Sequence, residues 1–138
     1  MRALIIVAAS VCAAGLFLGS TPAKAQASSV ESQFRAIEEE LFLTATSRHE
    51  EDIAQGAQTA VFFQVEPGRE VMVVGVCDEQ CSDINLYVRD PNGNEVGRDV
   101  GADDVPVVVI PAGRGGQYTF QIEMARCSGR CHWGVRVY

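Results

Sequence analysis

Two short segments hold four of the five cysteines of this 138-residue chain, Cys77-Asp78-Glu79-Gln80-Cys81 and Cys127-Ser128-Gly129-Arg130-Cys131. Paired thiols at this spacing have four chemistries open to them. Zinc ligation needs thiolates, which an oxidising compartment does not preserve. Covalent haem attachment needs two residues between the cysteines, and Cys127 to Cys131, although followed by His132, encloses three. Thiol–disulfide exchange uses a C-x-x-C at a helix N-terminus, whereas both segments here lie in turn-rich sequence between strand patterns. Structural disulfides are left. Cys77, Cys81, Cys127 and Cys131 allow three pairings. The local pair Cys77–Cys81 and Cys127–Cys131 is favoured because one tight turn closes each. Cross-pairing between the segments would close longer loops and stabilise more.

Acid–base chemistry has little to draw on. Any Ser–His–Asp arrangement must use His49 or His132, and neither Ser82 nor Ser128 sits in a G-x-S-x-G elbow. A glycosidase needs paired carboxylates in a cleft with sugar-contacting rings, and one Trp, three Tyr and six Phe leave few beyond the core. A small secreted hydrolase is therefore the second alternative, and the expectation is that the protein is not an enzyme. Gly113 to Gly116 is glycine-rich, but no helix pattern follows to supply amides for a phosphate. Asp78, Glu79, Asp83, Asn85, Asp99, Asp103 and Asp104 cluster in or beside loops. Calcium takes six to eight oxygens, which sandwich loops can gather from distant positions. Asp78, Asp83, Asn85, Asp99, Asp103 and Asp104 are the candidate ligands, against the alternative of a solvated acidic surface. No other cofactor is implied.

The start of the chain explains why the thiols should be oxidised. Met1-Arg2, an apolar run over residues 3–18, and Ala23-Lys24-Ala25 before Gln26 have the layout of a secretory signal peptide over residues 1–25. The run is shorter than the roughly 20 residues that span a bilayer, so no membrane span is expected after cleavage. Cys12 would leave with the leader. The protein is thus expected to be secreted or periplasmic. The net charge of −7 argues against nucleic acid, which requires clustered Lys and Arg, and against anionic membranes. The length permits one small domain.

What positions the cysteines and acids is a helix followed by strands. Val30, Phe34, Ile37, Leu41 and Ala45 recur at helical spacing, and Ser28 to Glu31 offers a capping box, so a helix is expected over residues 28–55, with Gly56 as its stop. Its apolar stripe packs on the domain's own core, or docks another protein or a second copy of the chain. Beyond Gly56 the period becomes two. Strands are expected at 60–66, 70–76, 84–89, 95–99, 105–110, 117–125 and 132–138. Tyr118, Phe120, Ile122 and Met124 face inward while Gln117, Thr119, Gln121 and Glu123 face water; Trp133, Val135 and Val137 likewise alternate with Gly134, Arg136 and Tyr138. Pro67-Gly68 and Asp90-Pro91-Asn92-Gly93 read as hairpin turns.

The run from Val74 through the Cys77–Cys81 segment to Asp90 resembles the bacterial pre-peptidase C-terminal (PPC) domain family, and more closely a cysteine-bearing branch of small secreted proteins of unknown function. The resemblance continues through Pro91-Asn92-Gly93, Arg98-Asp99, Pro106-Val107-Val108, Gly116 to Phe120 and Cys127 to Cys131, covering about residues 58–138. The family's D-x-D-L core stands here as Asp83-Ile84-Asn85-Leu86, which implies weaker hold on a cation. The resemblance implies a mainly β, jelly-roll-like antiparallel β-sandwich, preceded here by one N-terminal amphipathic α-helix, and a non-catalytic role. The organisation expected is a leader at 1–25, helix and linker at 26–57, and sandwich at 58–138. The function expected is a binding or structural module meeting a protein or glycan at the bacterial envelope or outside it. A calcium-dependent adhesion or carbohydrate-binding module is the first alternative.

Overall fold

The computed structural model describes residues 23–138, with side chains from Ser29 onward. The expected leader falls outside the described residues up to position 22. A helix, α1 (Ala23–Leu41), is followed by eight strands: β1 (Ser47–Ala54), β2 (Gln58–Val65), β3 (Val71–Cys77), β4 (Cys81–Arg89), β5 (Glu95–Asp99), β6 (Val107–Ile110), β7 (Gly116–Cys127) and β8 (Arg130–Val137). They form two four-stranded sheets, β1-β8-β3-β6 and β2-β7-β4-β5, and every pairing is antiparallel. This is the two-sheet, eight-strand winding of a jelly roll, with one helix ahead of it, as expected.

The expected helix overshoots. It ends at Leu41, where Phe42 turns left-handed (φ 53°) and Leu43 N–H closes back on Glu38 O at 3.0 Å. It also begins upstream of the Ser28 cap. The acidic run Glu50-Glu51-Asp52, which resembles a solvated helix face, instead lies in β1, paired along its whole length with β8. An acidic edge strand can tolerate such residues because one side of it meets solvent, and its ladder with β8 outweighs local helix propensity. The second correction concerns Pro67-Gly68. It carries the chain from one sheet to the other, whereas Asp90 to Gly93 does make a hairpin, between β4 and β5.

Between the sheets lies one core, with Val73, Ile84, Leu86, Val88, Phe120, Ile122, Met124, Trp133 and Val135 all essentially inaccessible. Phe120 and Trp133 are buried, as alternation required. The disulfides are the local pair, Cys77–Cys81 and Cys127–Cys131, with Cα separations of 5.9 and 6.0 Å. Each bridge joins opposite sheets, because β3 and β8 belong to one and β4 and β7 to the other. Cys81 and Cys127 are cross-strand neighbours, so both bridges seal the same end of the sandwich.

The alternation of β8 holds, but its outer side is not wet. Gly134, Arg136 and Tyr138 lie beneath α1 with Val30, Phe34, Val74 and Val76 in a second apolar layer. A Cβ on Gly134 would stand 2.8 Å from Phe34 Cε2 and 3.0 Å from Val30 Cγ1, so the glycine lets the helix approach the strand. Arg136, 1% exposed, donates to Glu38 Oε1 at 2.8 Å and to Glu31 Oε2, and stacks 4.2 Å above the Phe34 ring centroid. Burial and Glu38 push the neighbouring Tyr138 phenol up to about 12.

Two outcomes are expected. Replacing both acceptors, Glu31→Ala with Glu38→Ala, leaves a buried guanidinium without counter-charge and lowers stability by about 3–5 kcal/mol, read from urea unfolding. Replacing Cys127 and Cys131 by serine removes a five-residue closed loop and costs about 2 kcal/mol while leaving the circular dichroism spectrum of the native state unchanged.

Candidate functional site

The topology carries most of the acidic candidates to the disulfide-sealed end, then commits them to backbone. Asp78, fully buried, accepts Gln80 N–H at 3.0 Å on Oδ1 and His132 N–H at 2.7 Å on Oδ2. Asp99 accepts Gly101 N–H at 3.1 Å and, across the sandwich edge, Val107 N–H at 2.9 Å. Asp103 accepts Val105 N–H at 3.0 Å. Asn85 donates to Glu123 Oε2 at 3.2 Å, and Asp83 stands 4.0 Å from Arg126. Asp83 Oδ1 and Asn85 Oδ1 are buried without a partner among the described residues. No group of three or more His, Cys, Asp or Glu side chains converges as a metal site among the described residues, and Asp104 meets the Cys77 sulfur only through its backbone carbonyl.

The histidines are also engaged. His132 meets Asp52 Oδ1 at 2.7 Å through Nδ1 and Glu50 Oε2 at 3.2 Å through Nε2, so β1 flanks the ring with two carboxylates. Neither ring nitrogen is left to take a proton from a hydroxyl nucleophile. Burial opposes the ring's charge, but the hydrogen bonds to Asp52 and Glu50 outweigh it and the net shift of its pKa is upward. His49 meets Glu51 at 3.4 Å and lies 5.5 Å from the Trp133 ring.

The two sheets differ in what covers them. α1 packs on β8 and β3, while Gln58, Ala60, Phe62 and Gln64 of β2 are all exposed on the outer side of the other sheet. Register sets out that face row by row. Phe62 lies beside Thr119, then Arg89; Ala60 beside Gln121, then Tyr87; Gln58 beside Glu123, then Asn85; and Gln64 beside Gln117. With strands about 4.8 Å apart and about 3.4 Å per residue, the face measures roughly 15 by 20 Å.

Its chemistry is neutral and amide-rich. Gln121 donates to Gln58 at 2.8 Å, and Glu123 Oε2 accepts from both Asn85 and Tyr87 at 3.2 Å. Burial first, and then the Glu123 hydrogen bond, raise the Tyr87 pKa, which keeps the phenol a neutral donor. Arg98 and Arg89 lie 3.4 and 4.0 Å from Glu95. Two arginines thus balance Glu95 and Glu123 within a chain whose net charge is −7. Phe62 stands 63% exposed beside the small Ala60, an aromatic wall next to a shallow floor. Alternation in the sequence gives the wet side of β7. It does not show that β2 and β4 extend this side, because that depends on register; the signal available was the matching alternation of Gln58, Ala60, Phe62 and Gln64.

No family model matches the chain. No curated protein matches it either. Among solved structures it is similar to Aeromonas hydrophila PliG, a periplasmic inhibitor of g-type lysozyme, at 18% identity over 68% of this chain and 87% of that one, with a TM-score of 0.46.

The His132 arrangement sets a pH dependence. Its raised folded-state pKa means that the imidazolium's contribution is complete below the unfolded value of 6.5 and is lost as pH rises through the folded value. Melting temperature is expected to fall as pH is raised from below neutrality into the mildly alkaline range, and His132→Gln is expected to flatten that limb. Identical slopes in the two proteins would contradict the assignment.

Proposed function

We propose that the protein is an exported, non-catalytic binding module that takes a neutral glycan of the cell envelope on the open face of β2, β7, β4 and β5. The observation carrying this reading is the lattice of Gln58, Gln121, Asn85, Gln117 and Gln64 beside the exposed Phe62 ring. A primary amide has two donors and an acceptor, which matches sugar hydroxyls that donate and accept in turn, and the exposed glutamines carry this role because the Asn85 carbonyl is buried. The aromatic face gives the apolar C–H side of a pyranose something to lie against, and the balanced charge leaves no field to select an anion or a cation. Cell-envelope residence is supported by the two disulfides, which persist in oxidising compartments. No helix among the described residues is long and apolar enough to cross a membrane.

Nothing in this reading requires bond making. The two histidines are each held against carboxylates, and Tyr87 and Asn85 on the face are bonded to Glu123.

Calorimetric titration with chitopentaose, cellopentaose and maltopentaose tests the proposal. At least one is expected to bind, with Phe62→Ala weakening it about tenfold, some 1.4 kcal/mol. Gln121→Ala is expected to weaken it severalfold, and both variants should melt as the parent does, since Phe62 is solvent-facing. Failure of all three oligosaccharides to bind at millimolar concentration, or binding untouched by Phe62→Ala, overturns the reading.

A further inference from the structure

The end of the sandwich opposite the disulfides is built differently. There a cavity of about 360 Å³ opens between the β4–β5 turn and the loop leading into β7, lined by Asp90, Pro91, Asn92, Arg114, Gly115 and Tyr118. Both walls are fixed before any ligand arrives. On one side Asp90 Oδ1 accepts Asn92 and Asn94 N–H at 2.9 Å each, and Oδ2 accepts Asn94 Nδ2 at 3.2 Å. On the other side Gly115, at φ +72°, passes so close to the β2–β3 connection that a Cβ would stand 2.6 Å from Pro67 N and 2.7 Å from Val65 O. Gly116, at φ +114°, leaves the space that Pro91 occupies, since a Cβ there would be 2.8 Å from Pro91 Cγ. Only glycine allows these approaches; the first anchors the β7 side of the cavity to the β2–β3 connection and the second holds it against Pro91 of the other wall.

Several of the donors inside have no partner among the described residues. Arg69, Arg89, Arg98, Arg126 and Arg136 each meet a carboxylate, in a chain with 18 acidic residues. Arg114, like Arg35, Arg48 and Arg130, meets none among the described residues, and of these four it alone lines the cavity. The Tyr118 ring is buried against Phe63 in the core, yet its hydroxyl is neither bonded nor sealed from solvent among the described residues. Asn92 adds a side-chain amide at the rim. Asp90 is the cavity's one acid, with its oxygens accepting three N–H groups of its own turn, and Arg114 is the cavity's one cation.

We propose that this cavity is a receptor for a carboxylate-bearing group, with the Arg114 guanidinium taking the carboxylate and Tyr118 Oη and Asn92 Nδ2 as flanking donors. A guanidinium presents two parallel N–H groups that match both oxygens of a carboxylate, and a prearranged site loses little entropy on binding. The carboxylate can come from an acidic sugar or from an acidic peptide side chain. The site does not depend on the glycan face, since neither Phe62 nor Gln121 lines it.

The test is chemical-shift titration of the full protein with glucuronic acid and with N-acetylglutamate α-methylamide, each set against its uncharged amide, glucuronamide and N-acetylglutamine methylamide. The carboxylates are expected to shift resonances of Asn92, Arg114, Gly115 and Tyr118, and their amides to bind at least tenfold more weakly. The tighter of the two acids identifies the source. Arg114→Gln should abolish the difference between acid and amide, while Arg48→Gln, which removes another exposed arginine far along the chain, leaves it intact. Tyr118→Phe should weaken the acid severalfold with the melting temperature kept. Equal binding of acid and amide, no binding of either acid at millimolar concentration, or an Arg114→Gln protein that still discriminates would each overturn the proposal and leave the reading of the sheet face standing.

Discussion

The contact on which the molecule's asymmetry rests is the one between Arg136 and α1. A guanidinium on a strand belongs in water, and here it is covered to 1% exposure by a helix that brings Glu31, Glu38 and the Phe34 ring to it. Burying a charge is unfavourable unless its partners come with it. Glu31 and Glu38 are seven residues apart, two helical turns, so both reach the same group from one face. A helix shifted by a turn would lose one of them, which makes the ion pair a register mark as well as an attraction. Once α1 is seated on β8 and β3, the β1-β8-β3-β6 sheet has no free outer surface at its centre. The opposite sheet is the one left to meet other molecules.

The acidic surplus has a structural use that composition alone does not disclose. Asp78, Asp90, Asp99 and Asp103 all accept backbone N–H groups at turns or strand ends. Short carboxylates do this well because they reach the N–H two residues on without leaving their own turn. Asp99 goes further and satisfies Val107 of the facing sheet, which blunts an otherwise open edge made of valines. Many of the acidic residues that make the loops look like ligand sites are thereby internal fastenings.

Legibility followed the range of the interaction. Strand β5 was placed to the residue, and β4, β7 and β8 within a few residues, because period-two alternation is local and strong there. The local disulfides were legible from spacing, since each closes on its own turn. The acidic strand β1 was not, because its polar side chains look the same on a helix surface as on a strand edge, and only β8 decides between them. Alternation, followed correctly, points Arg136 toward water, since the strand pattern has no means of showing that a helix will cover that side. The open face shows the same limit. One of its strands is visible in the sequence, but the neighbours that make it a surface come from register across residues far apart in the chain.

The two sulfur bridges each join residues four positions apart, and the Cys77–Cys81 segment is complete before the Cys127–Cys131 segment begins. A chain that emerges N-terminus first presents Cys77 and Cys81 together, well before Cys127 and Cys131 arrive. An oxidant that couples neighbouring thiols as they emerge would therefore produce the native cross-links on the first attempt, with no need for an isomerase to undo mistakes.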